Sequence, residues 1–460
     1  MKDNDKGQQR REAMGKDSIW RLLLRFSGPA IISMTVASSY QLVDAIFVGR
    51  LGQESLAAMS VTYPLVLSFV AIASGTGVGV TSLISRSLGA NDNKSADRVA
   101  STAVSLCFLL SAIIALICLP NLEWILRTLG ASESVLPLAM SYSTILVRFL
   151  IFNYTSMLLS NIIRADGNPV FSSSVAISSS IINIALDPVF IFGFGPVPAM
   201  GIAGAATATV IAQSVSVSIY IIYIVTGKTA YKFQPGYFIP SLSIIAGIYR
   251  VGVASIIRSG AQFVTMGVIN RTAASFGVTP LAVMGVLVRV GRFVLMPTLG
   301  LGQGMLPLIG YNFGAEKKSR VAELLFKTGV AGVIWTTLCW LAIMIFPTQV
   351  ISAFNSETAF LQEGAQALRI YGMVYFIIGI QSIPGFFFQG IGRGFPASAL
   401  TLARSIFILL PLVLVLPRFM GATGIWASYP ITDILSLIIS LSWVAVEFRR
   451  QGIDIRWWRE

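Results

Sequence analysis

The sequence predicts an all-α integral membrane protein, with twelve transmembrane helices in two six-helix bundles related by a pseudo-two-fold axis along the membrane normal. Three observations predict it. Hydrophobic residues make up 55% of the 460 positions and charged residues only 12%, with a mean hydropathy of +0.77; a soluble domain carries about 25% charged residues. Apolar runs of about 20 residues, enough to cross a bilayer, recur along the whole length. The second half of the chain also repeats the first.

The spans fall near 22–48, 56–83, 98–119, 136–160, 170–194 and 202–226, then 242–272, 281–309, 321–346, 362–389, 397–418 and 422–446. Only helices satisfy their own backbone in segments this apolar, this long and joined by turns this short. On the side that carries both termini, tails and loops hold 22 basic residues, including Lys228, Lys232, Arg456 and Arg459. The opposite side has only Arg50, Arg127, Arg271 and Arg418. That imbalance places both termini in the cytoplasm.

The repeat is legible at a constant shift. Residues 75–90, GTGVGVTSLISRSLGA, align with 300–315, GLGQGMLPLIGYNFGA, and LGQESLAAM (51–59) aligns with FGVTPLAVM (276–284). Six spans per half keep both copies in one orientation, the parallel repeat of many secondary transporters. The chain therefore divides into a cytoplasmic tail (1–21), an N-lobe (22–226), a cytoplasmic linker (227–241), a C-lobe (242–446) and a cytoplasmic tail (447–460). The GxGxG series lies inside spans, so helix packing is the preferred reading over phosphate binding.

Several classes are disfavoured. The polar start reads as a short tail, part of it an amphipathic lead-in to the first span, and not as a cleavable signal peptide. A net charge of +13 suggests nucleic acid, but the basic residues alternate between loops instead of forming a patch. Cys107, Cys118 and Cys339 stand singly in apolar runs and indicate neither disulfides nor a zinc site. With no histidine in the chain, proton or metal-ion work falls to carboxylates, and no enzymatic activity or organic cofactor is expected.

Asp44, Asp187 and Asp433 are the acidic residues inside spans. A charge at mid-bilayer costs about 2.5–3.5 kcal/mol on insertion scales, and such groups line cavities or ion paths. Asp44 has Gln41 and Tyr40 three and four residues before it; Asp187 has Asn183 four before it. These spacings place each set on one helix face, and Thr207 or Thr209 of span 6 adds an oxygen. The matching positions of the second half, Ile269 and Leu414, carry no charge. A purely architectural acid would recur in both copies, so the asymmetry points to a working site in the first half, against a polar clasp between spans 1 and 5. Asp433 is read as a structural partner of Arg404, while Asp166 and Glu54 belong to loops or span ends and need no special account.

Arg148, Arg258, Arg289, Arg292 and Arg404 also lie in spans. They neutralise acids, snorkel to an interface, or line a path for something anionic. Pro29 and Pro188 each remove a helix hydrogen bond and permit a bend near a carboxylate.

Twelve spans in two halves, the span-1 aspartate, RADGNP, NIALDPVFIFG, GIAGAATATVIAQ and IGYNFGA resemble the multidrug and toxic compound extrusion (MATE) family over essentially the whole chain. The resemblance is to the prokaryotic branch whose acidic pair lies in the amino-terminal lobe. It implies a secondary active efflux transporter that exchanges Na⁺ or H⁺ for small amphipathic, mainly cationic compounds by alternating access. It further implies a cation site of Asp44, Asn183, Asp187 and Thr209, with Asp44, Asn183 and Asp187 as the sodium ligands if sodium is coupled. Tyr40 and Gln41 become substrate-cavity candidates and Pro29 a conformational hinge. The expected setting is a prokaryotic plasma membrane, as a monomer in the lipid bilayer without nucleic acid. The rivals are a flippase for a lipid-linked anionic precursor, gripped by Arg258, Arg289, Arg292 and Arg404, and a channel.

Overall fold

In the computed structural model, described over residues 2–227, 229, 231, 233–354 and 357–454, every regular element is helical. Side chains of residues 2–6 and of Pro235 are not described, and Lys228, Lys232, Arg456 and Arg459 lie outside the described residues. The first half comprises α1 (Lys2–Lys16), α2 (Ile19–Gly49), α3 (Gln53–Gly89), α4 (Asn93–Cys118), α5 (Leu122–Thr128), α6 (Leu136–Arg148), α7 (Leu150–Ala165), α8 (Pro169–Phe192) and α9 (Ile202–Val225). The second half comprises α10 (Leu242–Ala274), α11 (Val278–Gly314), α12 (Lys318–Ile345), α13 (Pro347–Ser352), α14 (Thr358–Tyr371), α15 (Ile378–Gln381), α16 (Ile383–Gly390), α17 (Gly394–Leu402), α18 (Leu410–Val415), α19 (Pro417–Met420) and α20 (Ala422–Gln451).

Ten of these segments are long and apolar enough to cross a membrane, and two bent pairs bring the number to twelve. The chain is a multi-pass membrane protein. The bends fall in corresponding spans of the two halves: α6 and α7 meet at 50°, and α14 meets Tyr375–Gly390 at 42°. A third irregularity is a π-helical stretch over Ala403–Leu409. Pro411 cannot donate to the carbonyl four residues before it, and the turns ahead of it widen accordingly.

Contacts divide the chain into two units, Met1–Lys16 with Ile32–Gly252, and Asp17–Ile31 with Val253–Glu460. The divisions fall inside α2 and α10, so the first span of each half begins in the unit built mainly by the other half. The repeated glycines explain how each start is seated. In unit 1 a Cβ on Gly79 would collide with the backbone carbonyl of Ile248; in unit 2 a Cβ on Gly304 would collide with the backbone of Ser27. Only a residue without a side chain lets the two backbones come this close. Hydroxyl contacts accompany each crossing: Thr76 with Tyr249 at 3.1 Å in unit 1, and Ser27 donating to the Leu301 carbonyl at 3.4 Å in unit 2.

Asp166, read from sequence as an unremarkable loop acid, is fully buried and paired with Arg11 at 2.8 Å. Arg11 also donates to Asn93 at 2.9 Å and lies over the Tyr231 ring, while Arg10 reaches the Tyr223 hydroxyl at 3.1 Å. Gly167, at φ 85°, turns the chain so that the Arg10 carbonyl can approach it. The equivalent loop of unit 2 reverses the polarity: Arg393 occupies the matching position and pairs with Glu447 at 3.4 Å. The partner of Asp166 lies 155 residues away, which no local pattern reveals.

Two outcomes are expected. Arg11→Ala leaves a buried carboxylate uncompensated and lowers stability by about 3 kcal/mol, seen as a reduced melting temperature of the detergent-solubilised protein. Gly304→Leu overpacks its crossing at a cost of about 1–3 kcal/mol or more, read as loss of the monodisperse peak in size-exclusion chromatography.

Candidate cation site

The site in unit 1 is assembled by local rules. Asn168 caps α8 by accepting from the Phe171 amide at 3.3 Å, with Pro169 preset in the first turn. The helix then carries Asn183 and Asp187 one turn apart. Pro188 cannot donate to the Ile184 carbonyl, which loosens the helix just past Asp187. The connection to α9 is pinned by Met200 donating to the Phe190 carbonyl at 2.9 Å and Gly201 to that of Ile191 at 3.1 Å. A Cβ on Gly204 would strike the Phe190 carbonyl, so α9 lies directly against α8 and brings Thr209 opposite Asn183.

Asn183 divides its amide between two acceptors, Asp187 Oδ1 at 3.4 Å and Thr209 Oγ1 at 3.3 Å. Thr207 instead donates within its own helix to the Ala203 carbonyl, so of the two threonines it is Thr209 that reaches this group. Asp187 is 0% exposed, Asn183 3% and, on α2, Asp44 5%. Asp44 acts electrostatically on Asp187, and both carboxylates act on the hydroxyls of Tyr40 and Tyr142.

Three buried oxygens here accept no hydrogen bond: Asp44 Oδ1, Asn183 Oδ1 and Asp187 Oδ2. No basic side chain pairs with either acid among the described residues. Buried acceptors are almost always satisfied, and buried charge is compensated. Two carboxylates and an amide oxygen, all hard donors without protons of their own, suit an alkali cation, and either carboxylate can instead take a proton. The donor set therefore fits sodium. No group of three or more Asp, Glu, Cys or His residues placed to hold a metal ion occurs among the described residues.

The other candidates fall in different surroundings. Tyr40 is half-buried beside the two acids, whereas Gln41 is exposed. Pro29 is not at the site; it lies two residues before α2 passes from unit 2 to unit 1. Tyr142, on α6, was missed from sequence. Its signal was the polar run Ser-Tyr-Ser-Thr (141–144) in an apolar span, of which Ser143 donates to Thr62 at 3.2 Å.

In unit 2, Arg404 donates through both Nε and NH2 to Asp433 Oδ1, at 3.0 and 2.8 Å. This is the expected structural pair, with Tyr371 and Tyr429 beside it. Arg258 rests over the Phe386 ring and donates to Ser255 at 3.3 Å. Arg289 and Arg292 are exposed on α11. A phosphate grip by all four arginines is not what unit 2 builds, because Arg404 is already held by an acid.

Comparison with known proteins gives a consistent answer. A family model described as MatE matches residues 29–189 and 251–415. The chain is 26% identical over 444 residues to the multidrug export protein MepA of Staphylococcus saprophyticus, covering 95% of this chain and 96% of that one. Among solved structures, a MATE protein in the bent conformation superposes with a TM-score of 0.90 at 26% identity, over 96% of this chain and 98% of the other. The straight conformation of a MATE protein gives 0.90 at 25% identity, over 96% and 99%. As a check on the geometry, Thr209→Val removes one acceptor from Asn183 and should lower stability by about 1 kcal/mol, measured by thermal unfolding.

Proposed function

The chain belongs to the MatE family, and on that premise we propose that it is a multidrug efflux transporter driven by cation exchange at Asp44 and Asp187. Relatives named as multidrug export proteins support the efflux reading. The observation that carries the coupling is the buried acidic pair, with one unsatisfied oxygen on each acid, a third on Asn183 and no basic partner among the described residues. A bound Na⁺ or H⁺ removes the cost of that charge; an organic cation does the same from the drug side. Each occupant therefore displaces the other, which is antiport. Both termini face the cytoplasm of a prokaryotic cell, the exported compounds are amphipathic and mainly cationic, and the transporter works as a monomer.

Each group has a task in this cycle. Asp44 and Asp187 hold the coupling ion, Asn183 and Thr209 orient Asp187 and contribute oxygen, and Tyr40 and Tyr142 wall the pocket. Pro29 lets α2 bend near its passage between the units, so that cation occupancy at Asp44 biases which conformation is populated. A ligand shifts such an equilibrium only by its differential affinity for the two states. Nothing covalent is required.

The test is drug efflux from proteoliposomes, with the sodium gradient and the pH gradient imposed separately. One of the two should drive efflux, and Asp44→Asn and Asp187→Asn should each reduce it at least tenfold while still inserting normally. Full efflux in both single variants removes the pair from the mechanism. Sodium coupling further predicts that NaCl, but not choline chloride, stabilises the purified protein, by about 2.7 kcal/mol at a hundredfold excess over Kd, and that this gain disappears in either variant.

A further inference from the structure

We propose that unit 2 contains a pocket, separate from the acidic site, that binds the carboxylate of an amphipathic aromatic compound through Arg289. The proposal rests on the efflux reading and names a class of substrate for it: zwitterions and organic anions as well as cations.

The pocket has a volume of about 370 Å³ and is lined by Ala282, Gly285, Val286, Arg289, Phe354 and Phe360. That size lies at the lower end of the range for small-molecule sites, about 300–1,000 Å³. Its floor is one face of α11, where positions 282, 285, 286 and 289 follow helical spacing. The small residues keep this floor open, and a Cβ on Gly285 would meet nothing within 4 Å. Phe360 is buried and Phe354 exposed, and both line the pocket with the guanidinium.

Arg289 and Arg292 of α11 lack the partners that other arginines of the unit have, and of the two only Arg289 lines the pocket. In the same unit Arg404 holds Asp433, Arg393 holds Glu447, and Arg258 sits over Phe386 with Ser255. Arg289 makes no ion pair or hydrogen bond among the described residues. It lies about three turns into a helix long enough to cross a bilayer. An unpaired guanidinium on such a helix is expensive against lipid and is by default functional. Within the pocket, α11 presents alanine, glycine, valine and arginine.

The lining fixes the ligand. It contains no acidic residue, so nothing there attracts an organic cation. The planar fork of arginine matches a carboxylate through two parallel hydrogen bonds, while an aromatic body can pack on the phenylalanine rings. An aryl carboxylate meets all of these features at once. A compound with a cationic group as well keeps its affinity for the acidic site of unit 1.

A matched dye pair tests this: rhodamine 110, a zwitterion with a free carboxylate, and its methyl ester, a cation with the same ring system. Binding is measured by fluorescence anisotropy on the full chain in phosphatidylcholine nanodiscs. The free acid should bind about tenfold tighter than the ester, a difference typical of a charge-assisted hydrogen bond. Arg289→Gln should abolish the difference by weakening the acid and leaving the ester unchanged. Gly285→Leu, which fills the floor but keeps the charge, should also weaken the acid. Arg292→Gln, on the same helix but outside the lining, should leave it unchanged. The proposal is overturned if Arg289→Gln affects both dyes equally or neither, or if Arg292→Gln costs as much as Arg289→Gln. Loss of the acid's advantage in phosphatidylglycerol discs also overturns it, by making a lipid phosphate the occupant. Gradient-driven efflux of the ester from proteoliposomes reports separately on the transport reading. Selective acid binding without any efflux keeps the pocket and rejects the transport.

Discussion

Negative charge buried without a positive partner is the constraint on which the rest of this molecule depends. Three other buried acids are compensated: Asp166 by Arg11, Asp433 by Arg404 and Glu447 by Arg393. Among the described residues, the Asn183 amide donates to Asp187, and one oxygen of each acid, with the Asn183 carbonyl oxygen, is left over. In a medium that solvates ions poorly, such a pair is stable only with a proton or cation drawn from outside. The compensated acids fasten loops and spans; the uncompensated pair is the one we propose to exchange ions.

The backbone connects that charge to shape. α2 carries Asp44 within unit 1, yet its opening stretch through Ile31 belongs to unit 2, with Pro29 close to the division. α10 is divided in the mirrored sense at Gly252. The glycine series repeated in both halves seats these opening stretches, so sequence conspicuous for its repetition serves the architecture, whereas the asymmetric carboxylates carry the proposed chemistry. One fold thus holds a symmetric frame and a site present in a single copy.

Much of this was legible in the sequence because bilayer physics leaves few choices. Twelve apolar runs, the charge imbalance of the loops and the constant-shift repeat led to a doubled helical bundle, and the structure has that helical content and span number. The i, i+4 spacing of Asn183 and Asp187 placed both on one face, and the α8–α9 turn then brought Thr209 to them. What was hidden depended on distant partners or broken regularity. Asp166 looked like an ordinary loop acid because its partner lies 155 residues away in sequence, in α1. Tyr142 sits on a helix that bends in mid-span, which a hydropathy average smooths over. The contact division inside α2 and α10 is invisible to a reading that treats each apolar run as one unit. The arginines illustrate the same limit: their sequence contexts look alike, but Arg404 is neutralised by Asp433 while Arg289 lines a cavity.

The central claim is that Asp44 and Asp187 take up the coupling cation. Infrared difference spectroscopy of the purified protein, recorded while sodium and pH are exchanged, reads carboxyl groups directly. The account predicts carboxyl bands that change on exchange in the wild type and vanish in the Asp44→Asn/Asp187→Asn double variant. Identical difference spectra for the wild type and the double variant would contradict it.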